Sequence, residues 1–135
     1  MSAERAFLDT NVLLYLLSDD AAKAAKAEAL VLKGGVISVQ VLNEFANVAR
    51  RKLSASWDVV HEALDLMKEA LTVEPLSVET HEIALAVAER YRFSIYDSLI
   101  LAAALGAGCG LVYSEDLQDG QAVGDLKIRN PFADI

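Results

Sequence analysis

Short apolar runs alternate with long helix-patterned stretches along this chain, and that alternation restricts its fold more than any other property. Ala6-Phe7-Leu8, Val36-Ile37-Ser38, Thr72-Val73-Glu74 and Leu111-Val112-Tyr113 read as brief strands, with a weaker one at Leu126-Lys127-Ile128. Strands separated by helices pair in parallel, and the crossover helices then cover both faces of the sheet. The helix ends are marked by local chemistry. Asp9, Thr10 or Asn11 can cap a helix over Val12 to Leu17, and Ser18-Asp19-Asp20 precedes an Ala-, Lys- and Glu-rich helix from Ala21 to Lys33 that Gly34-Gly35 stops. Ser38 caps a helix reaching about Lys52, Ser54 or Ser56 one from Trp57 to about Leu71, and Ser77 one to about Tyr91. Ile95 to Ala107 is apolar almost all round, which marks it as a central helix. Trp57, Phe45 and Tyr91 recur at helical spacing among apolar residues and are expected in the core.

With 135 residues, 2 Pro and 7 Gly, the chain is expected to be a single domain over residues 1–135. Its apolar runs break off short of the ~20 residues that a membrane span needs, despite a mean hydropathy of +0.31. Met1-Ser2-Ala3-Glu4-Arg5 leads straight into the first strand without an export segment, so a cytoplasmic location is expected and no membrane partner. The lone Cys109 has no partner for an internal disulfide and reads as a small buried residue. A formal charge of -8 argues against a protein that holds nucleic acid by its overall field, but not against one that touches it locally. The basic run Arg50-Arg51-Lys52 fits a solvated helix end and is compatible with phosphate contact. His61 and His81, among charged neighbours on helices, read as ordinary surface or boundary residues.

Asp9, Glu44, Asp97 and Asp116 stand where apolar neighbours pull them inward. Asp9 ends a strand at the carboxyl edge where parallel sheets bind ligands, and is equally well suited to cap the next helix. Glu44 has Val41, Phe45 and Val48 around it on one helix stripe, so it is either a site residue or a half-buried partner of an arginine. Asp97 precedes Ile100, Leu101 and Ala104 on one face of the most apolar helix, in a first turn that also favours an anion. Asp116 follows a strand end in an acidic loop shared with Glu115 and Asp119. Carboxylates drawn out of water need protons or a cation, and oxygen donors without His or Cys suit Mg²⁺ or Mn²⁺ rather than Zn²⁺. Such ions commonly serve phosphate-ester hydrolysis, which then needs no protein nucleophile. Thr10, Asn11 and Ser114 would orient the carboxylates, or act simply as caps and turn residues.

Phe7-Leu8-Asp9-Thr10-Asn11, Asn43-Glu44, Tyr96-Asp97-Ser98-Leu99-Ile100 and Ser114-Glu115-Asp116-Leu117, in that order, resemble the PIN-domain nucleases, and among them the toxin ribonucleases of VapBC-type toxin-antitoxin pairs. The resemblance covers essentially the whole chain. It implies an α/β fold, a three-layer α/β/α sandwich around a mainly parallel sheet of four to five strands. It also implies a metal-binding acidic quartet of Asp9, Glu44, Asp97 and Asp116, supported by Thr10 or Asn11 and Ser114, with Asp119 as an auxiliary candidate. The activity implied is Mg²⁺-dependent (or Mn²⁺-dependent) cleavage of single-stranded or looped RNA by a cytoplasmic homodimer that a cognate antitoxin holds inactive.

Other phosphate-handling folds fit less well. A receiver domain wants an acidic pair near the first strand and a Lys after the last, whereas Thr10 follows Asp9 and Lys127 lies beyond a Gly-containing loop. A haloacid-dehalogenase-like phosphatase wants Asp-x-Asp, but Asn11 replaces the second acid. A noncatalytic PIN-fold module that binds RNA or protein is the third alternative, and four intact acidic positions weigh against it.

Overall fold

A computed structural model describes residues 5–135, so the expectation that Met1 to Arg5 carries no export segment lies, for residues 1–4, outside the described part. The strands are β1 (Ala6–Leu8), β2 (Val36–Ser38), β3 (Thr72–Glu74), β4 (Leu111–Tyr113), β5 (Ala122–Val123) and β6 (Leu126–Arg129). The helices are α1 (Thr10–Leu14), α2 (Ala21–Lys33), α3 (Val39–Arg51), α4 (Trp57–Ala70), α5 (Val78–Tyr91) and α6 (Ile95–Gly106). Ser38, Ser56, Ser77 and Ser94 each accept a backbone N–H in the first turn of the following helix, as capping chemistry requires. Ser54 is not a cap and takes a positive φ instead. The first helix starts earlier than the sequence pattern suggests and tightens into a 3₁₀ helix over Tyr15–Leu17.

The sheet has six strands in the order β3-β2-β1-β4-β6-β5. All its pairings are parallel except β5 with β6. The strand beyond the four to five expected is β5, which is not legible in the sequence because Ala122–Val123 is only two residues long. Its turn nevertheless carries a hairpin signal, since Val123 pairs with Leu126 across Gly124-Asp125 and Gly124 supplies the positive φ that tight hairpins need. Neighbouring residues Phe7 and Leu8 point to opposite faces and are both buried, so helices cover both sides. The core gathers Phe7, Leu8, Ile37, Phe45, Leu101 and Ile128 among others.

Phe45 is fully buried and Tyr91 half-buried, its hydroxyl oxygen accepting the Gly124 N–H at 3.2 Å. Trp57 corrects the core expectation, being 56% exposed. It lies at the first position of α4, before the helix has turned its apolar stripe inward, and the Arg50 guanidinium covers its ring at 4.4 Å. Cys109 is buried, and His61 and His81 are exposed. Among the described residues no helix is long and apolar enough to cross a membrane.

Ser98, within α6, is fully buried, and its hydroxyl has no hydrogen-bond partner among the described residues. Ser98→Ala removes that desolvated group and improves helix propensity, so it is expected to stabilise the protein by about 1 kcal/mol in denaturant unfolding. A loss of stability would mean that the hydroxyl is bonded after all.

Candidate active site

The strand order turns at β1: the chain lays β2 and β3 on one side, then returns with β4 on the other. The crevice beyond the carboxyl ends of β1 and β4 is therefore a topological switch point, where open α/β sheets bind ligands. Asp9 and Ser114 are the first residues past those two ends. Buried Asp9 accepts the Thr10 N–H at 2.7 Å through Oδ1, so it caps α1 and faces the crevice at once. Its Oδ2 accepts the Ser114 hydroxyl at 2.9 Å and Asn11 Nδ2 at 3.0 Å. Asn11 ties the two strand ends together, because its Nδ2 also lies 3.4 Å from Asp116 Oδ2 and its Oδ1 accepts the Glu115 N–H at 2.9 Å.

The two helical acids approach from other elements. Glu44 Oε2 accepts the Thr10 hydroxyl at 3.0 Å and its Oε1 accepts Gln40 Nε2 at 2.7 Å. The arginine partner that would have made Glu44 a structural ion pair is not there: among the described residues the salt bridges are Lys23 to Glu115 and Lys68 to Asp65. Asp97 stands in the first turn of α6, which Ser94 caps by accepting the Asp97 N–H at 3.1 Å. Asp9, Glu44, Asp97 and Asp116 line one cavity of about 220 Å³, together with Thr10 and Asn11. Asp119 is not brought there; its carboxyl accepts the Asn130 N–H at 2.9 Å.

Three further residues join the arrangement without having been singled out for it. Gln40 lies one helical turn before Glu44 and bonds both that carboxylate and the Tyr96 carbonyl, at 3.2 Å, linking α3 to α6. The i to i+4 spacing from Gln40 to Glu44 was its only sequence signal. Lys52 and Tyr96 also line the cavity. Lys52 belongs to the basic run that reads as a helix end compatible with phosphate contact, and Tyr96 to the motif around Asp97. Beside the cavity, Glu115 accepts the Tyr15 hydroxyl at 2.5 Å and pairs with Lys23 at 3.0 Å. Burial alone would raise the Glu115 carboxyl, but those two contacts hold it below its ordinary value and so keep the loop bearing Asp116 anchored by a charge.

Burial raises the Asp9 carboxyl to about 6, with the charges of Glu44 and Asp97 adding to the shift and the Ser114 and Thr10 hydrogen bonds opposing it. Oxygen donors of this kind, with no basic side chain paired to these four acids among the described residues, suit a hard divalent ion in their chemistry. Among the described residues, however, no three His, Cys, Asp or Glu side chains stand close enough together to hold one as placed. Thr10 and Gln40 donate to Glu44, and Asn11 and Ser114 to Asp9, so these two carboxylates are held by protein donors on different elements. Loading an ion would therefore require side chains to turn inward.

The raised Asp9 carboxyl makes metal-free stability depend on pH. The folded protein holds this proton more tightly than the unfolded chain, so the contribution is full below the ordinary carboxyl value of 3.8 and is lost as pH rises through about 6. Between roughly pH 4 and pH 7 the wild-type protein should lose about 3 kcal/mol relative to Asp9→Asn. Parallel stability profiles for the two proteins would contradict the shift.

A family model described as PIN domain matches residues 6–119. The chain belongs to the PIN-domain family. This PIN domain has the fold of several solved toxins. A toxin-antitoxin complex from Klebsiella pneumoniae superposes with a TM-score of 0.71 at 19% identity, covering 93% of this chain and 97% of that one. DNA-bound VapBC from Salmonella typhimurium gives 0.70 at 18%, covering 96% and 99%. Mycobacterium tuberculosis VapC20, a sarcin-ricin loop cleaving toxin, gives 0.67 at 20%, covering 82% and 89%. No curated protein sequence matches.

Proposed function

We propose that this PIN domain is a Mg²⁺- or Mn²⁺-dependent endoribonuclease and the toxin of a toxin-antitoxin pair. The observation that carries the reading is the meeting of Asp9, Glu44, Asp97 and Asp116, from two strand ends and two helices, in one cavity. In this reading those four carboxylates would hold the ion once their side chains turn inward. When bound, it would supply the positive charge that draws in the scissile phosphate and the polarisation that makes water a nucleophile. The protein's own work is then positional. Thr10 and Gln40 orient the Glu44 carboxylate, and Ser114 and Asn11 orient that of Asp9. Leu14, Val48 and Ile100 give the cavity apolar walls, which strengthen each electrostatic contact inside it.

A cognate antitoxin, a homodimeric state and a cytoplasmic setting belong to the same reading. The partner is supported by the antitoxin-bound relatives from Klebsiella pneumoniae and Salmonella typhimurium. A groove of about 660 Å³ beside the acidic cavity shares Asn11 and Leu14 with it and combines apolar Leu14, Leu17 and Leu53 with acidic Asp19 and Glu115, a mixed surface on which such a partner could sit. The deciding experiment is cleavage of a mixed RNA pool by purified protein with Mg²⁺ or Mn²⁺, beside an EDTA control. Metal-dependent cutting is expected, and a protein that leaves every RNA intact under both ions would favour a noncatalytic binding module.

A further inference from the structure

We propose that Tyr96 and Lys52 form a substrate-holding rim on the acidic cavity, where the Tyr96 ring stacks on one unpaired base and the Lys52 ammonium takes a neighbouring phosphate. The inference rests on the nuclease reading of that cavity and assigns the side chains that would hold the RNA. Both residues line the same cavity as the carboxylates. Tyr96 is 68% exposed. Other aromatic rings are already occupied: Arg50 covers Trp57, Lys23 covers Tyr15, and Phe93 lies against Tyr91. Among the described residues no aromatic ring or cation stacks on Tyr96, so its face is open to a ligand.

The ring stands on a rigid support. Gln40, itself more than nine-tenths buried, donates to the Tyr96 carbonyl and to Glu44, while Ser94 caps the same helical turn. A base stacked there would therefore be held in register with the Glu44 and Asp97 carboxylates, at the entropy cost of only two side-chain torsions. Lys52 follows α3 as its C-cap residue and, among the described residues, pairs with no carboxylate although four line the same cavity. Its charge is thus free for a phosphate. An aromatic face and a cation on one rim suit single-stranded RNA, whose bases are available for stacking, and not a duplex, whose bases are already stacked.

The test is binding of a fluorescent, short, mixed-sequence single-stranded RNA, and of its duplex, in Mg²⁺. It uses the full chain carrying Asp97→Asn so that binding is read without cutting, with Tyr96→Ala, Tyr96→Phe, Lys52→Ala or Lys52→Arg added. Tyr96→Ala should weaken single-strand binding about tenfold and Tyr96→Phe should restore it, since stacking needs the ring and not the hydroxyl. Lys52→Ala should weaken binding and flatten its salt dependence by about 0.7 in the log-log slope, and Lys52→Arg should recover both. Unchanged binding in Tyr96→Ala, or equal loss in Tyr96→Phe, overturns the rim even where the unmodified protein cuts RNA, and the nuclease reading then survives alone. If the unmodified protein neither cuts nor binds RNA, both readings fall.

Discussion

Asp97→Asn is expected to lower metal-dependent RNA cleavage about a thousandfold while leaving the fold intact. A loss of that size corresponds to about 4 kcal/mol of transition-state stabilisation, which is what losing one charged oxygen from a metal site can remove. Asp97 separates catalysis from folding better than the other acids do. The carboxyl of Asp9 is buried and accepts three hydrogen bonds, and that of Glu44 accepts two, so neutralising either disturbs packing as well as charge. The Asp97 side chain accepts no hydrogen bond among the described residues. Its structural contribution is the favourable field of the α6 N-terminus, about 0.3–1 kcal/mol. Cleavage of the RNA pool beside thermal unfolding measures both quantities. Wild-type activity in the variant would remove Asp97 from the site, and a large drop in melting temperature would make its role structural.

Gly35→Ala should destabilise the protein by about 3 kcal/mol or more, roughly a 10 °C fall in melting temperature. A Cβ at Gly35 would lie 2.6 Å from the Ala6 carbonyl oxygen and 3.0 Å from Leu8 Cδ1. The first of these is backbone of β1, the central strand that leads into Asp9, and it cannot rotate away. Relief requires β1 and β2 to separate, and they share the Phe7 to Val36 register that both faces of the core depend on. Gly34→Ala is the control. Its Cβ would meet only the Ala70 carbonyl at 4.0 Å, so its cost is the strain of a side chain at φ +94 and ψ 171, about 1–3 kcal/mol. Equal losses for the two variants would show that backbone conformation, and not the close approach of β1, sets the requirement for glycine at 35.

Nearly every element boundary was legible in the chain because the signals that set boundaries are local. Serine caps and glycine stops act within one turn of themselves, and Ser38, Ser77 and Gly34 mark their helices as read. The misreadings come from contacts that no local pattern carries. Helical spacing points Trp57 inward, but it begins its helix and finds Arg50 from the preceding one. Asp119 sits in the same acidic loop as Asp116, yet it bonds the backbone of Asn130 rather than reaching the cavity.

The sequence by itself determined where each acid stands along its element: Asp9 and Asp116 beyond strand ends, Glu44 on an apolar helix stripe, and Asp97 in a first turn. Only the tertiary structure decided that these positions meet, that Gln40 bridges two of the elements, and that Lys52 and Tyr96 share the cavity. Side-chain periodicity and capping depend on residues a few positions apart. A cavity depends on strand order, and placing β1 between β2 and β4 brings together residues about a hundred positions apart, such as Asn11 and Ser114.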